Sequence, residues 1–132
     1  MKLLALDTAT EACSAAVWVD GNVLERYELA PRRHAVLILP MIEAVLAEAG
    51  LSAGQLDAIA VGRGPGAFTG VRIAMGIAQG IAFAADRPVA PVSTLAALAL
   101  GAARATGEAR IAAALDARMS EGYWGLYAVN GF

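Results

Sequence analysis

Apolar residues in this chain fall either into short unbroken runs or into longer stretches at helical spacing. Leu3 to Leu6 is an unbroken run ending at Asp7-Thr8, the pattern of a central strand buried on both faces and stopped by a polar turn. Cys13 to Val19 and Val23 to Leu29 flank Asp20-Gly21-Asn22, and an Asp-Gly pair between apolar runs predicts a hairpin. From His34 to Gly50, Leu37, Ile38, Met41, Ile42, Val45 and Leu46 recur at helical spacing opposite Glu43 and Glu48, with Gly50 as the stop. Pro40 falls inside that pattern and predicts a kink or a late start. Leu56 to Val61 reads as a second buried strand running into Gly62-Arg63-Gly64-Pro65-Gly66, after which Thr69 is expected to cap a helix reaching about Ala85. Val89 to Val92 is a short strand, Ser93 or Thr94 caps a third helix ending near Arg104, and Ile111 to Leu115 is a strand ending at Asp116.

One internal echo organises these elements. Leu4-Ala5-Leu6-Asp7, a turn, Cys13 to Val19 and Asp20-Gly21 are matched by Ala114-Leu115-Asp116, a turn, Gly122 to Val129 and Asn130-Gly131. The pattern predicts an α/β domain over residues 1–108, with a mixed sheet flanked by helices. Residues 109–132 then form the first hairpin of a second, duplicated domain, whose next strand is expected after Phe132.

Composition adds one anomaly. The 132 residues are 58% hydrophobic, above the usual share, so more apolar surface is to be buried than a small domain needs. A partner surface or membership of a larger protein explains that better than a membrane. Ile73 to Ala85 is shorter than the roughly 20 residues a bilayer span takes, and Val89 to Ala103 is interrupted by Pro91, Ser93 and Thr94. A net charge of -2 with scattered basic residues argues against a dedicated nucleic-acid face. The single cysteine, Cys13, cannot form an internal disulfide, and a reducing cytoplasm is the default expectation.

Few motifs carry chemistry. Asp7 and Asp116, each at a strand end, could hold hydrated magnesium between nucleotide phosphates, or could simply tether their own turns; the second reading is preferred because neither turn has the glycines of a phosphate cradle. Gly62-Arg63-Gly64-Pro65-Gly66-Ala67 formally fits a dinucleotide fingerprint, yet no acid stands at the required place and Pro65 removes an amide, so a structural turn is preferred. Asp116 and Arg118 could be a ligand-facing acid and base pair, or equally an ion pair that fixes their turn. His34 is the sole histidine and Cys13 has no local activator, which leaves no metal set and no nucleophile with its base. Gly66, Gly70, Ala74, Ala78 and Ala82 form a small-residue stripe on a helix that is apolar nearly all round. Packing on the sheet takes one face, and an interface with another subunit accounts for the other.

Leu4-Ala5-Leu6-Asp7-Thr8-Ala9-Thr10, then Gly64-Pro65-Gly66-Ala67-Phe68-Thr69-Gly70-Val71-Arg72-Ile73, then Asp116-Ala117-Arg118 with Tyr123-Trp124 closely resemble the bacterial TsaB family. The resemblance implies an actin-like, ribonuclease H-like fold of two duplicated domains. It implies a role in forming threonylcarbamoyl-adenosine beside the anticodon of tRNAs that read codons starting with A. It further implies a non-catalytic dimerisation subunit that pairs with a TsaD-type subunit and is joined by a TsaE-type ATPase, with tRNA contacted only indirectly and with ATP and magnesium acting through those partners. Together with the apolar patterning it places the partner surface at Met41, Val45, Arg72, Met75, Ala78 and Gln79. Asp7, Thr8 and Asp116 become a vestigial nucleotide site, and Gly64, Pro65, Gly66, Thr69 and Gly70 a structural motif. Two alternatives stand beside it: an active nucleotide-dependent enzyme of the sugar-kinase type, and a self-associating homodimeric structural domain.

Overall fold

The structure is a computed structural model and describes residues 1–131; the strand expected after Phe132 lies outside the described residues. Strands β1 (Lys2–Asp7), β2 (Ala12–Val19) and β3 (Asn22–Leu29) open the chain, followed by helix α1 (His34–Ala49), β4 (Ala58–Gly62), α2 (Phe68–Ala85), β5 (Val89–Val92), α3 (Thr94–Thr106), β6 (Arg110–Arg118) and β7 (Glu121–Ala128). The first five strands form one sheet in the order β3-β2-β1-β4-β5, antiparallel across β1, β2 and β3 and parallel from β1 to β5; β6 and β7 form a separate antiparallel pair. Asp20 and Gly21 both take positive φ, as a two-residue hairpin between twisted strands requires.

Helices α1 and α2 lie side by side on one face of the five-stranded sheet. Period-two alternation sends Leu4, Leu6, Cys13, Ala15, Val17, Ile59 and Val61 to that face, where they meet Ile38, Ile42 and Val45 of α1 and Ala74 and Ala78 of α2. Each large side chain buried there contributes about 1.5–3 kcal/mol. The opposite face carries Ala5, Ser14, Ala16 and Ala60, with Asp7 at one end and Ala97 of α3 bordering it. A second, smaller core joins Leu95 and Ala99 of α3 to Ala113 of β6, with Tyr127 of β7 packed against it.

Most expected elements stand within two residues of their places, and the differences have local causes. α1 starts at His34 and continues across Pro40, which lies on an exposed part of the helix, so the late start is not seen. Residues 53–55 form a short 3₁₀ turn that carries the chain into β4, which begins at Ala58 rather than Leu56. Thr69 does not cap α2: the capping position is Ala67, and no side chain caps that end. Ser93 does cap α3, its hydroxyl accepting from the Ala96 amide at 3.3 Å. With Phe68 included, α2 has 18 residues at a mean hydropathy of 1.4, long and apolar enough to cross a bilayer by composition. It lies instead along the sheet, through Gly70, Ala74, Ala78 and Ala82.

Candidate functional site

Both strand-end acids hold their own turns. Asp7 Oδ1 accepts from the Ala9 amide at 2.8 Å, and Asp116 Oδ1 accepts from the Arg118 amide at 2.8 Å. The same Asx turn therefore follows the first strand of each sheet. Of the two readings of Asp116 and Arg118, the ion pair does not form; the carboxylate meets the backbone of Arg118, and three successive residues, Arg118, Met119 and Ser120, take positive φ to complete the turn. Asp7 also fits closely against Gly62, where a Cβ would stand 2.5 Å from Oδ2.

The glycine loop owes its composition to this turn. Ala67 N donates to Ala9 O at 2.7 Å, and the buried Thr8 Oγ1 donates to Gly70 O at 2.5 Å. A Cβ on Gly66 would stand 2.3 Å from Ala9 O, and one on Gly70 would stand 2.0 Å from Thr8 O. Gly64 adopts φ +91, precedes a cis peptide to Pro65, and its carbonyl accepts from the Thr94 amide, joining the loop to the start of α3. Gly64, Gly66 and Gly70 thus lock three chain segments together by backbone contact. A phosphate site at a helix N-terminus needs amides aimed at open space. At the start of α2 the Ala67 amide is aimed at Ala9 O, and Pro65 has none. Replacing Thr8 with Val keeps the shape and removes the hydroxyl, so the urea midpoint is expected to fall by the equivalent of about 1 kcal/mol. An unchanged midpoint would show that the hydroxyl contributes nothing to the lock.

The six residues expected on a partner surface divide. Val45 and Ala78 are fully buried, Met41 is buried at the edge of α1, and Met75 is half-buried; Arg72 and Gln79 are exposed. Val45, Ala78 and Met41 belong to the core because the sheet takes the most regular apolar stripe of each helix. The small-residue stripe Gly70-Ala74-Ala78-Ala82 is the sheet-facing side of α2, where small side chains bring the helix close to β4. Beside Arg72 and Gln79, the outward side carries residues that the sequence does not place on the partner surface. Gly76 and Gly80 face open space, Phe83 is 91% exposed and Phe68 72% exposed, with the Arg72 guanidinium stacked 3.4 Å from the Phe68 ring centre. Next to it α1 exposes Val36, Leu39 and Glu43. A signal did exist: Gly76, Gly80 and Ala84 repeat at spacing four, just as the buried stripe does.

His34 stands at the start of α1, and its Nε2 donates to the Thr10 carbonyl at 2.7 Å, tying the helix to the β1–β2 turn. Among the described residues no group of three or more His, Cys, Asp or Glu is placed to hold a metal ion. Cys13 is buried, and burial, with Glu28 nearby, pushes its thiol above the ordinary value of 9.0. The unfolded chain therefore loses that proton first. The stability tied to Cys13 is complete well below pH 9.0 and declines as pH rises past it. Alkylation at pH 8 is expected to be at least tenfold slower in the native chain than in urea; equal rates would mean that the thiol is accessible.

Residues 25–131 match the TsaD family, described as tRNA N6-adenosine threonylcarbamoyltransferase. The chain is 54% identical to the tRNA threonylcarbamoyladenosine biosynthesis protein TsaB of Escherichia coli over 96% of its own length and 55% of that protein's. It is 53% identical to the protein of the same name in Haemophilus influenzae, over 94% of its length and 52% of that protein's. The solved structure of YeaZ from Pseudomonas aeruginosa superposes with a TM-score of 0.94 at 58% identity, over 98% of this chain and 61% of that one. The chain thus spans about half the length of the curated relatives it matches. The mixed sheet with its flanking helices is an actin-like α/β fold. The chain therefore belongs to the TsaD family, with TsaB proteins among its near relatives.

Proposed function

We propose that this chain is part of a non-catalytic scaffold subunit in threonylcarbamoylation of the adenosine beside the anticodon in tRNAs that read codons starting with A. It acts in the cytoplasm by pairing with a TsaD-type subunit, and a TsaE-type ATPase joins the pair. ATP and magnesium act through those partners, and tRNA is contacted through them. The name of the TsaB relatives supports the process. The observation that carries the scaffold role is the outward face of α1 and α2, where Val36, Leu39, Phe68 and Phe83 are exposed around Gly76 and Gly80. Such a face, apolar with a glycine floor, suits close packing against helices of another subunit. The Asx turn packed on the glycine loop supports the non-catalytic reading, because its amides and carbonyls satisfy one another.

Light scattering on a sizing column tests this with the full chain alone and then mixed with a TsaD-type subunit of the same organism. A one-to-one complex is expected, replacing any homodimer. Independent elution at concentrations well above 10 μM would remove the scaffold reading.

A further inference from the structure

β3 is the edge of the five-stranded sheet, and among the described residues no strand pairs with its outer side. Its hairpin with β2 closes at Val19 and Asn22, so Glu25, Tyr27 and Leu29 turn their amides and carbonyls outward. This edge is long, and Tyr27 and Leu29 are 63% and 67% exposed on it. An open edge of that length is a template for another strand.

We infer that the edge takes a second copy of this chain, β3 against β3, antiparallel, with the two-fold axis at Tyr27. Two antiparallel strands side by side keep their faces, so residues directly opposite must lie on the same side of the sheet and the pairing must be centred on a residue. Charge then selects the register. Centring on Glu25 or on Arg26 sets that residue against itself in the second copy, and centring on Leu24 leaves both charges opposite Val23 and Asn22. Centring on Tyr27 sets Arg26 opposite Glu28 of the second copy, twice, and Glu25 opposite Leu29. Arg26 holds two exposed partners, Glu48 and the Glu25 carbonyl, and Glu28 holds exposed Arg33; pairing draws Arg26 across to Glu28 of the second copy and frees the Glu25 carbonyl to accept from the new strand. The pairing also brings together the two apolar grooves that run between β3 and α1, floored by Leu37, Pro40, Met41 and Ala44. This surface is separate from the outward side of α2, so one copy can pair at both.

A symmetric cysteine reads the register directly. Opposite residues on bonded antiparallel strands have Cα atoms about 5.5 Å apart, within disulfide range. Tyr27→Cys is expected to give a covalent dimer under mild oxidation. Val23→Cys, which the same register places opposite Pro31 beyond the paired stretch, stays monomeric, as does the parent chain with Cys13 buried. In the Tyr27→Cys background, Arg26→Glu and Glu28→Arg are each expected to slow cross-linking about tenfold. Together they restore it to within about threefold, because the exchanged charges meet again across the axis while neither regains its contact within the chain. A monomeric Tyr27→Cys variant, equal cross-linking at Val23→Cys, or no recovery in the double exchange would each overturn the inference. None of these outcomes bears on pairing through α2.

Discussion

Replacing Gly70 with alanine is expected to destabilise the chain by about 3 kcal/mol or more, a large part of the total stability of a small domain. The added Cβ would stand 2.0 Å from Thr8 O, a backbone atom that cannot turn aside as a side chain does. Relief requires α2 to lift from the β1–β2 turn. Lifting breaks the Thr8 hydroxyl contact to Gly70 O and the Ala67 amide contact to Ala9 O, and it uncovers Ala74 and Ala78, which are wholly buried. A substitution of the same chemistry two turns further along is expected to have the opposite sign. Gly76 sits in the same helix with nothing within 4 Å of a Cβ, so Gly76→Ala removes only the entropic penalty of glycine and raises stability by about 0.5–1 kcal/mol. Denaturant titration followed by circular dichroism measures both. A Gly70→Ala midpoint equal to that of the parent would mean that the turn yields and that the close approach is not a constraint.

The same contrast shows how much of this molecule was legible in its sequence. Strand runs and the Asp-Gly hairpin placed the first three strands because period, length and turn chemistry agree there. Glycine enrichment between Gly62 and Gly70 was legible as a request for close backbone approach; its target was not, because the Thr8 and Ala9 carbonyls lie some 60 positions away in sequence. The tether role of Asp7 was readable from the absence of cradle glycines, and the Asx turns accord with it. What sequence could not settle was which side of α2 meets the sheet. Gly70-Ala74-Ala78-Ala82 and Gly76-Gly80-Ala84 are both small-residue stripes at spacing four, and only the position of β4 decides between them. Met41 and Val45 turn inward for the same reason: on α1 the residues that are most regularly apolar are those the sheet takes, leaving Val36 and Leu39 outward.

Gly80→Arg is expected to weaken pairing with a TsaD-type subunit at least thirtyfold, the equivalent of about 2 kcal/mol, with little change in the fold. Gly80 is exposed and has nothing within 4 Å of a Cβ, so an arginine there points into solvent in the free chain. In the proposed complex that solvent is replaced by a packed helix, and the guanidinium must either hold the helices apart or lie buried without a partner. Phe83→Glu, one turn on at a site 91% exposed, tests the other component of the face. It removes an aromatic anchor without leaving a cavity in the free chain, and a similar loss of affinity is expected. Ala78→Leu separates the two sides of the helix. Buried against the sheet, it is expected to lower stability by about 1–3 kcal/mol through overpacking, with no specific effect on affinity in whatever fraction stays folded. Titration calorimetry on the three variants, each checked by circular dichroism, reads the outcome. If Gly80→Arg and Phe83→Glu bind as the parent does, the partner surface is not on the outward side of α2. The apolar residues of that side would then need another explanation.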